Sequence, residues 1–512
     1  MSILGLSTKP RFRFRFHPAQ TVAANDDGAF VFHSITGDFV STYRADVEWQ
    51  RLFVELLQRG APLAAIRSAV FPLLGVQKTA AVLAQVDYFF HTGIAVMQLA
   101  ADDNNDDNDD GALLTFVPHG PRYTPKFAQV GDDEHLAFSR FSAVRREDDR
   151  IVVDTPLKPY HLVSETPDTD ALLMRLMRGA PAAQALAASP APARDALRDA
   201  LALLKHDGLL LPLPAGRACL TRHDEGEASA QWDVHDLHMH SRSRSGYTQL
   251  GYGEFGGVFP NIGRYEPRPA VRPAWSGETV ALARPDMEDL YKQGFPTLAG
   301  VQDFRRSVRE YNEEQPLSLE QLGHLLYRAC RVMFRDELEF ESPLQGVEGR
   351  RTVGFAWRPY PTGGASYELE VYLSADRCAG LDSGFYHYDA GRHCLVRIAG
   401  RTPEVEELLY GAHVATAHQA KPQVVLHIAA RFQRVAWKYR AIAYSVILKN
   451  AGVLYQTLYL VATAMGIAPC GLGSGDIELF RRITGLDPMV EGSVGDFGLG
   501  SLPADYHDRQ RR

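Results

Sequence analysis

Residues 423–476 decide the fold of this chain: QVVLHIAARFQRVAWKYRAIAYSVILKNAGVLYQTLYLVATAMGIAPCGLGSGD. An apolar, β-branched run from Val424 to Ile428 predicts a buried strand. From about Val435 to Met465 the chain lacks proline and has apolar residues on nearly every helical face. This pattern predicts a long core helix, part of which a second subunit would cover. Charged and amide side chains interrupt it too often for a membrane span.

Three cations mark the start of this predicted helix. Arg431, Arg434 and Lys438 are spaced i, i+3 and i+7, so a continuous helix would place them on one face. The like charge of Arg434 and partial burial would both lower the pKa of Lys438. A lysine of this kind, beside the phenol of Tyr439, can transfer protons. The alternative is a basic face that keeps its charges in water at the helix entrance.

Composition limits the class of protein. The 512 residues suggest roughly three domains, and 45% of them are apolar, enough for well-packed cores. A net charge of −8 argues against general nucleic-acid binding. Five scattered cysteines with no Cys-x-x-Cys pair fit a reducing compartment. The N-terminus has no apolar signal core. We therefore expect a cytoplasmic protein that binds neither nucleic acid nor membrane.

The N-terminal part contains a repeated motif. RFRFRF at residues 11–16 alternates strictly and predicts a strand with one apolar and one cationic face. Arg-Gly-Ala-Pro follows an apolar helix at residues 59–62 and does so again at residues 178–181. Strands, three helices and a β-wing in each copy predict two winged-helix-like domains, over residues 1–101 and 119–225. Neither copy has a basic recognition helix, and the last helix of the second carries Asp195, Asp199 and Asp207, which favours peptide or subunit docking over DNA binding.

Two polar stretches carry no predicted site. DDNNDDNDDG, residues 102–111, suggests a calcium loop but lacks its late glutamate, so an exposed acidic linker over residues 102–118 is the preferred interpretation. Residues 226–300 predict extended, wrapping polypeptide. The cluster of His235, His238 and His240 lacks a carboxylate or thiolate partner, so no metal is assigned.

The last portion, residues 301–512, mixes helices and strands irregularly, which predicts the α+β class. Four of its stretches can carry chemistry. They are the cationic run Arg305, Arg306, Ser307 and Arg309, the glycine turn Pro361, Thr362, Gly363 and Gly364, the pair Lys438 and Tyr439, and the turn Gly473, Ser474 and Gly475. The first can clamp a phosphate, and the paired glycines let a backbone approach a flat ligand. The last does not have dinucleotide spacing, so a Rossmann site is rejected.

In this order, RRSVR, PTGGASYELEVYL, GFYHYD (residues 384–389), the Lys-Tyr pair and the glycine turn resemble SagB-type dehydrogenases. These belong to the flavin-dependent nitroreductase superfamily and oxidise azolines in ribosomal-peptide maturation. The resemblance covers about residues 230–500, and the N-terminal units resemble those of cyanobactin-type thiazoline oxidases. The family's glycine motif usually reads PSGGALYP; here Glu368 replaces the last proline, while Thr362 keeps the hydroxyl of the usual serine.

The resemblance implies a nitroreductase-like domain over residues 301–512 that binds FMN at the interface of a homodimer. The residues named above from Arg305 to Arg309 would hold the phosphate and ribityl oxygens. Pro361–Gly364 and Gly473–Gly475 would line the flavin ring. Lys438 would be the base and Tyr439 would orient or donate. The substrate would be an azoline-containing precursor peptide, with dioxygen as terminal oxidant, and a cyclodehydratase partner fits this role.

Two other functions remain open. One is a flavin reductase of small nitroaromatics or quinones, which would not need a peptide-docking module. The other is a catalytically silent subunit that presents a precursor peptide to a cyclodehydratase. The retained Lys438, Tyr439 and RRSVR argue against a silent subunit.

Overall fold

The structure of the chain is a computed structural model. It describes residues 6, 9–18, 22–33, 39–101, 111–118, 123–214, 217, 220–221, 224–244, 261, 265–294, 296–341, 350–439 and 441–506. The chain forms two compact units. We call them the N-terminal unit, Met1–Pro260 with Arg440–Ile442, and the C-terminal unit, Asn261–Tyr439 with Ala443–Arg512.

The described part of the N-terminal unit contains twelve strands, of which seven form one large sheet. Its strands are β1 (Phe12–Phe16), β2 (Ala29–His33), β3 (Phe39–Arg44), β4 (Ala61–Pro62), β5 (Ala95–Ala100), β6 (Ala112–Pro118), β7 (His135–Phe138), β8 (Ala143–Glu147), β9 (Arg150–Asp154), β10 (Tyr160–Ser164), β11 (Ala180–Pro181) and β12 (Leu210–Pro212). Its helices are α1 (Glu48–Arg59), α2 (Leu63–His91), α3 (Pro167–Arg178), α4 (Ala182–Leu186), α5 (Ala191–His206), α6 (Glu227–Ala230) and α7 (Val234–Arg244). The large sheet has the order β4-β1-β5-β6-β10-β9-β8.

This sheet joins the two ranges that were predicted as separate domains. Strand β6 belongs to the expected linker but pairs with β5 on one side and β10 on the other. One cluster of buried apolar residues extends from Leu6 to Leu210. The structure therefore does not divide between residues 101 and 119, and the winged-helix assignment is not confirmed. The calcium-loop alternative falls on residues 102–110, which lie outside the described residues.

The predicted strand RFRFRF is confirmed as β1. Phe12, Phe14 and Phe16 are buried while the arginines between them are half-buried, as strict alternation requires. The three phenylalanines contact rings from both halves of the unit, including Phe89 and Phe116. The apolar face of β1 is therefore central to the core.

The Arg-Gly-Ala-Pro repeat has the same local structure in both copies. Gly60 and Gly179 end α1 and α3 with φ values of 84° and 85°, a conformation that favours glycine. The Ala-Pro pairs that follow are the short strands β4 and β11, which pair with β1 and β7. Strands β5 and β12 pair with β1 and β7 in turn. The repeat is therefore a structural one.

This repeat supplies a matched pair of substitutions. A Cβ at Gly179 would lie 2.5 Å from the Leu213 Cδ1 atom, whereas the nearest atom at Gly60 would be 3.6 Å away. Backbone strain is common to both positions, so Gly60→Ala should lower the free energy of unfolding by about 1–3 kcal/mol. Gly179→Ala should lower it further because Leu213 must move. Urea denaturation of the full chain measures both; equal losses would contradict the packing argument.

Helix α2 is one helix among the described residues that is long and apolar enough to cross a membrane by length and composition. Only 22% of its most apolar stretch is buried. Gly75, with φ 69° and ψ −178°, interrupts its helical geometry. One such helix is a weak indication of a span, and the absence of membrane binding stays a prediction.

Residues 226–300 contain more regular structure than predicted. Helix α7 carries His235, His238 and His240, and the His238 Nε2 atom lies 2.7 Å from the Phe141 carbonyl oxygen. Because these residues are helical, the prediction of an extended segment is wrong over α7. Among the described residues no group of three or more His, Cys, Asp or Glu side chains could hold a metal ion.

The C-terminal unit is an antiparallel sheet between two layers of helices. Its strands are β13 (Thr279–Ala281), β14 (Phe334–Glu341), β15 (Arg350–Trp357), β16 (Leu369–Ala375), β17 (Gly384–Asp389), β18 (Cys394–Ala399), β19 (Val424–Arg431), β20 (Ile467–Leu472) and β21 (Glu491–Ser501). Its helices are α8 (Met287–Gln293), α9 (Leu298–Phe304), α10 (Leu319–Cys330), α11 (Pro403–Ala415), α12 (Gln433–Ala436), α13 (Ala443–Ala464) and α14 (Ile477–Thr484). The main sheet has the order β13-β18-β17-β16-β19-β21-β20, and β14 and β15 form a separate hairpin.

This arrangement confirms the mixed α and β content predicted for residues 301–512. Helices α11 and α14 share a core with one face of the main sheet, and α10 packs on α13. The predicted buried strand is β19, all of whose residues are buried. Strands β17 and β18 pair as an antiparallel hairpin.

The predicted continuous helix from Val435 to Met465 is wrong. Its start is the four-residue helix α12, and α13 begins only at Ala443. Ala441 between them has φ 57°, a left-handed conformation that interrupts a helix. Arg431 ends a strand, so it does not share a helical face with Arg434 and Lys438.

Candidate active site

Lys438 and Tyr439 lie between α12 and α13 and converge on one glycine. A Cβ on Gly364 would meet the Tyr439 hydroxyl oxygen and would lie 2.9 Å from Lys438 Nζ. The lysine Nζ lies 5.4 Å from the centroid of the Tyr439 ring. An amine and a phenol therefore meet over a backbone that only glycine can supply. The structure brings together these two predicted catalytic residues and the predicted glycine turn.

The glycine turn is strained, and several polar groups hold it. Gly364, Ala365 and Tyr367 have φ values of 61°, 51° and 42°. The last two are left-handed conformations that cost L-residues roughly 1–2 kcal/mol each. The Tyr367 N–H donates to Thr362 Oγ1 at 3.1 Å. Such strain persists only where the surroundings impose it.

Two side chains outside the turn also hold it. Asn450 on α13 accepts the Gly363 N–H at 3.0 Å through its side-chain oxygen. Arg434 donates from Nε and a terminal nitrogen to the Ser366 carbonyl oxygen at 2.9 and 2.7 Å. Arg434 therefore has a structural role: its two hydrogen bonds hold the glycine turn in place. It is neither part of a basic helical face nor at a solvated helix entrance.

Burial shifts the acid–base properties of the pair. It lowers the pKa of Lys438, which is half-buried, because the charged amine loses hydration. Burial raises the pKa of Tyr439, because the phenolate loses hydration. The expected contribution of Arg434 to the lysine is not seen, since burial is the cause of the shift. The lysine is thus shifted toward its neutral, proton-accepting form.

The cationic run forms a second group around Tyr459. The Tyr459 hydroxyl accepts the Gly471 N–H at 2.6 Å and lies 2.7 Å from Ser307 Oγ. The Arg305 guanidinium carbon lies 5.2 Å from the centroid of the Tyr459 ring. The backbone N–H of Val308 donates to the Pro469 carbonyl oxygen at 2.8 Å. One tyrosine therefore fixes the predicted phosphate clamp to the end of β20.

The other predicted cations differ from each other. Burial raises the pKa of the Cys470 thiol, and the nearby Arg309 guanidinium partly offsets this effect. Arg309 is thus close to β20. Arg306 instead donates to the carbonyl oxygens of Asp303 and Arg305, at 2.7 and 2.8 Å. Arg306 is directed back toward α9 and is separate from the Tyr459 contacts.

The turn at Gly473, Ser474 and Gly475 follows β20 and is exposed. A Cβ at Gly473 would meet nothing within 4 Å, whereas at Gly475 it would lie 3.0 Å from Asp496 Oδ2. The other carboxylate oxygen of Asp496 lies 2.7 Å from the buried His427 Nδ1 atom. The turn is therefore open on one side and close to a buried polar pair on the other.

The two groups contact opposite sides of α13. The glycine turn touches Val446 and Asn450, whereas Gly471 touches Tyr455 and Tyr459. These two pairs of helical positions are separated by about 180° around the axis and about 14 Å along it, at 3.6 residues per turn. The structure therefore brings the predicted residues together as two groups, and α13 separates the groups within one chain.

Three polar residues of this site were not predicted from the sequence. Asn450 and Tyr459 position the two groups, and Glu368 accepts the Asn450 side-chain N–H at 2.8 Å. Asn450 had a sequence signal, because an amide inside an apolar helix needs a buried partner. Tyr459 had none, since a tyrosine in such a helix is usual in a core.

Comparisons with known proteins identify the family of the C-terminal part of the chain. A family model described as the nitroreductase family matches residues 303–501. A protein of Methanocaldococcus jannaschii described as a nitroreductase is 32% identical over 198 residues, which are 39% of this chain and 86% of that protein. The chain belongs to the nitroreductase family. A second family model, cyanobactin oxidase ThcOx, matches residues 136–249. Both models describe redox enzymes, so this family member is an oxidoreductase.

Two further relatives of this nitroreductase-family protein are named as processing proteins for trifolitoxin and for microcin B17. The trifolitoxin-processing protein TfxB of Rhizobium leguminosarum bv. trifolii is 27% identical over 140 residues, 27% of this chain and 38% of that protein. The microcin B17-processing protein McbC of Escherichia coli is 27% identical over 192 residues, 35% of this chain and 63% of that protein. The chain thus spans less than two thirds of each. The resemblance to SagB-type and cyanobactin-type enzymes is confirmed.

The role assigned to Tyr459 can be tested on stability. Tyr459→Phe removes the hydroxyl that joins Gly471 and Ser307, so it should lower the free energy of unfolding by about 1–3 kcal/mol. Tyr410→Phe is the control, because Tyr410 is 60% exposed. Urea denaturation measures both variants. Equal stability of the two would show that the Tyr459 hydroxyl does not fix the clamp.

Proposed function

We propose that this protein is an FMN-dependent dehydrogenase that oxidises thiazolines or oxazolines in a precursor peptide to thiazoles or oxazoles. The observation that carries this proposal is the convergence of Lys438 Nζ and the Tyr439 hydroxyl on Gly364. An acid–base pair over a flat glycine backbone suits removal of a proton from a ring stacked there. The peptide-processing relatives and the cyanobactin oxidase match support a peptide substrate.

The residues present fit FMN. The second group offers the guanidiniums of Arg305 and Arg309 and the Ser307 hydroxyl, which is a donor set suited to a phosphate. The turns at Pro361–Gly364 and Gly473–Gly475 offer backbone that can approach a planar ring closely. Arg306 is bonded to the backbone of Asp303 and Arg305 and does not contact β20, so it would contribute only its charge to phosphate binding. We therefore assign these residues to FMN, with Ser474 and Thr362 as further hydroxyl donors.

Converting an azoline to an azole removes two hydrogens from the ring. Bound FMN supplies the two-electron acceptor for the hydride, and dioxygen is the proposed terminal oxidant. The proton goes to the neutral amine of Lys438, which burial favours. Tyr439 keeps its proton because burial raises its pKa, so it donates a hydrogen bond and orients the ring. One residue thus accepts the proton while its neighbour positions the substrate.

The two groups on opposite sides of α13 support a homodimer. A flat cofactor held by the clamp of one chain cannot also reach the glycine turn of that chain without passing around the helix. A second copy related by two-fold symmetry brings its own glycine turn to the clamp. Apolar residues of α13 that are only half-buried, such as Val453 and Leu460, are then covered. We therefore propose that each active site contains residues of both subunits.

The N-terminal unit is assigned to recognition of the precursor peptide. The cyanobactin oxidase match, residues 136–249, falls in this unit. A small nitroaromatic or quinone needs no such unit, which favours a peptide over those substrates. A cyclodehydratase that forms the azoline is the proposed partner, because it supplies the substrate.

The cofactor and the base can be tested together. The purified protein should be yellow, with stoichiometric FMN released on denaturation. Lys438→Ala should keep its FMN and lose azoline oxidation, because the proton acceptor is gone. Lys438→Arg is the control for charge, since an arginine keeps its proton and should also be inactive. A colourless protein that FMN does not reconstitute would favour the silent docking subunit.

The rate of azoline oxidation should depend on pH. Only the neutral amine accepts a proton, so the rate rises as pH increases through the pKa of Lys438. Because burial lowers that pKa, the midpoint should lie below the ordinary lysine value of 10.5. A wild-type midpoint at or above this value would contradict the assignment of Lys438 as the base.

Mixed dimers test the shared site. Lys438→Ala damages the first group, and Arg305→Ala with Arg309→Ala damages the second. If sites are shared, a dimer with one chain of each variant has one intact site, so an equal mixture that re-associates randomly recovers about a quarter of wild-type activity. If each chain holds a complete site, the mixture stays inactive. Each variant alone is the control.

A further inference from the structure

The glycine turn depends on a side chain whose orientation the turn itself does not determine. Asn450 accepts the Gly363 N–H through Oδ1. An amide rotated by half a turn would present its NH₂ to that N–H, and two donors would face each other. Something must therefore hold Asn450 with its oxygen toward Gly363.

Glu368 meets this requirement. Its side chain is fully buried, and its Oε1 atom accepts the Asn450 Nδ2–H at 2.8 Å. Its Oε2 atom accepts the Ser366 hydroxyl at 2.7 Å. A carboxylate only accepts hydrogen bonds, so it selects the orientation in which the Asn450 NH₂ faces it. The Asn450 oxygen then faces Gly363.

Glu368 stands where the family's glycine motif usually has a proline, and Ser366, which donates to it, stands where that motif has a leucine. A proline cannot accept from Asn450, so this chain holds the turn by a different device. The turn needs such hydrogen bonds because Ala365 and Tyr367 have strained, left-handed backbone conformations. Burying a carboxyl raises the pKa of Glu368 and costs free energy, which its two side-chain donors partly offset.

We propose that Glu368 is a positioning residue that orients Asn450 and thereby holds Gly363 and Gly364 under Lys438 and Tyr439. The proposal rests on the proposed function only where FMN is concerned. The hold on the turn is a property of this chain without cofactor. Lys438 and Tyr439 fill the space beside Gly364, so the position of the turn must match theirs closely.

Three variants separate orientation from charge. Glu368→Gln keeps an acceptor oxygen for Asn450, so it should behave like the wild-type chain. Glu368→Leu removes both acceptors and should release the turn. Asn450→Leu should have the same effect as Glu368→Leu, and the double variant should be no worse than either. Glu491→Gln is the control for neutralising a buried glutamate away from the turn; Glu491 bonds Arg272 and Tyr372.

The first measurement is amide hydrogen exchange of the peptide containing residues 361–367, on the full chain without FMN. Glu368→Leu should speed its exchange about tenfold or more, because the Gly363 N–H loses its acceptor. Glu368→Gln and Glu491→Gln should leave it unchanged. Equal exchange in the leucine variant and wild type overturns the proposal. So does a glutamine variant as fast as the leucine variant, because charge and not orientation would then matter.

The second measurement is titration of the same proteins with FMN, followed by flavin fluorescence and absorbance. Glu368→Leu should weaken FMN binding about tenfold and shift the flavin spectrum, whereas Glu368→Gln should do neither. A wild-type chain that binds no FMN would contradict the proposed function and leave the exchange result to decide on Glu368. FMN binding that is the same in all variants would overturn the role of Glu368 at the cofactor.

Discussion

The candidate site depends on the absence of one side chain. Any Cβ at Gly364 would occupy the space in which the Tyr439 hydroxyl and the Lys438 amine lie. This contact explains why the chain leaves helical geometry between α12 and α13. In a continuous helix the neighbouring residues Lys438 and Tyr439 would point about 100° apart and would not both face Gly364. The contact also explains the strain at Ala365 and Tyr367. Local backbone energy is given up so that an amine, a phenol and a bare backbone can meet.

Helix α13 divides the site and connects it as well. Its one buried row, including Ile447, Leu454 and Leu458, holds the helix on the sheet. Polar residues on its flanks reach the glycine turn at one end and the cationic run at the other. A rigid helix of 22 residues fixes the distance between these groups. In a symmetric pair the same helix would set how the clamp of one subunit faces the turn of the other.

Much of the fold and the main residues of the site follow from the sequence. Strict alternation in β1, the apolar run of β19 and the capping glycines are local signals, so they predict β1, β19 and the ends of α1 and α3 well. The helix break at Ala441 was missed because the contact of Lys438 with Gly364 is not local. Tyr459 and Glu368 were missed for the same reason, since their partners lie 152 and 82 residues away.

The N-terminal unit shows why a true repeat need not mean separate domains. Each Arg-Gly-Ala-Pro copy specifies a helix end and a short strand beside β1 or β7. Neither signal says what happens at the outer edge of the first three-stranded arrangement, where β5 would expose unpaired backbone groups. Strand β6 pairs with that edge and continues the sheet through β10. Strand β6 thus covers an edge that would otherwise invite pairing with another chain, and apolar side chains of both copies pack in one core.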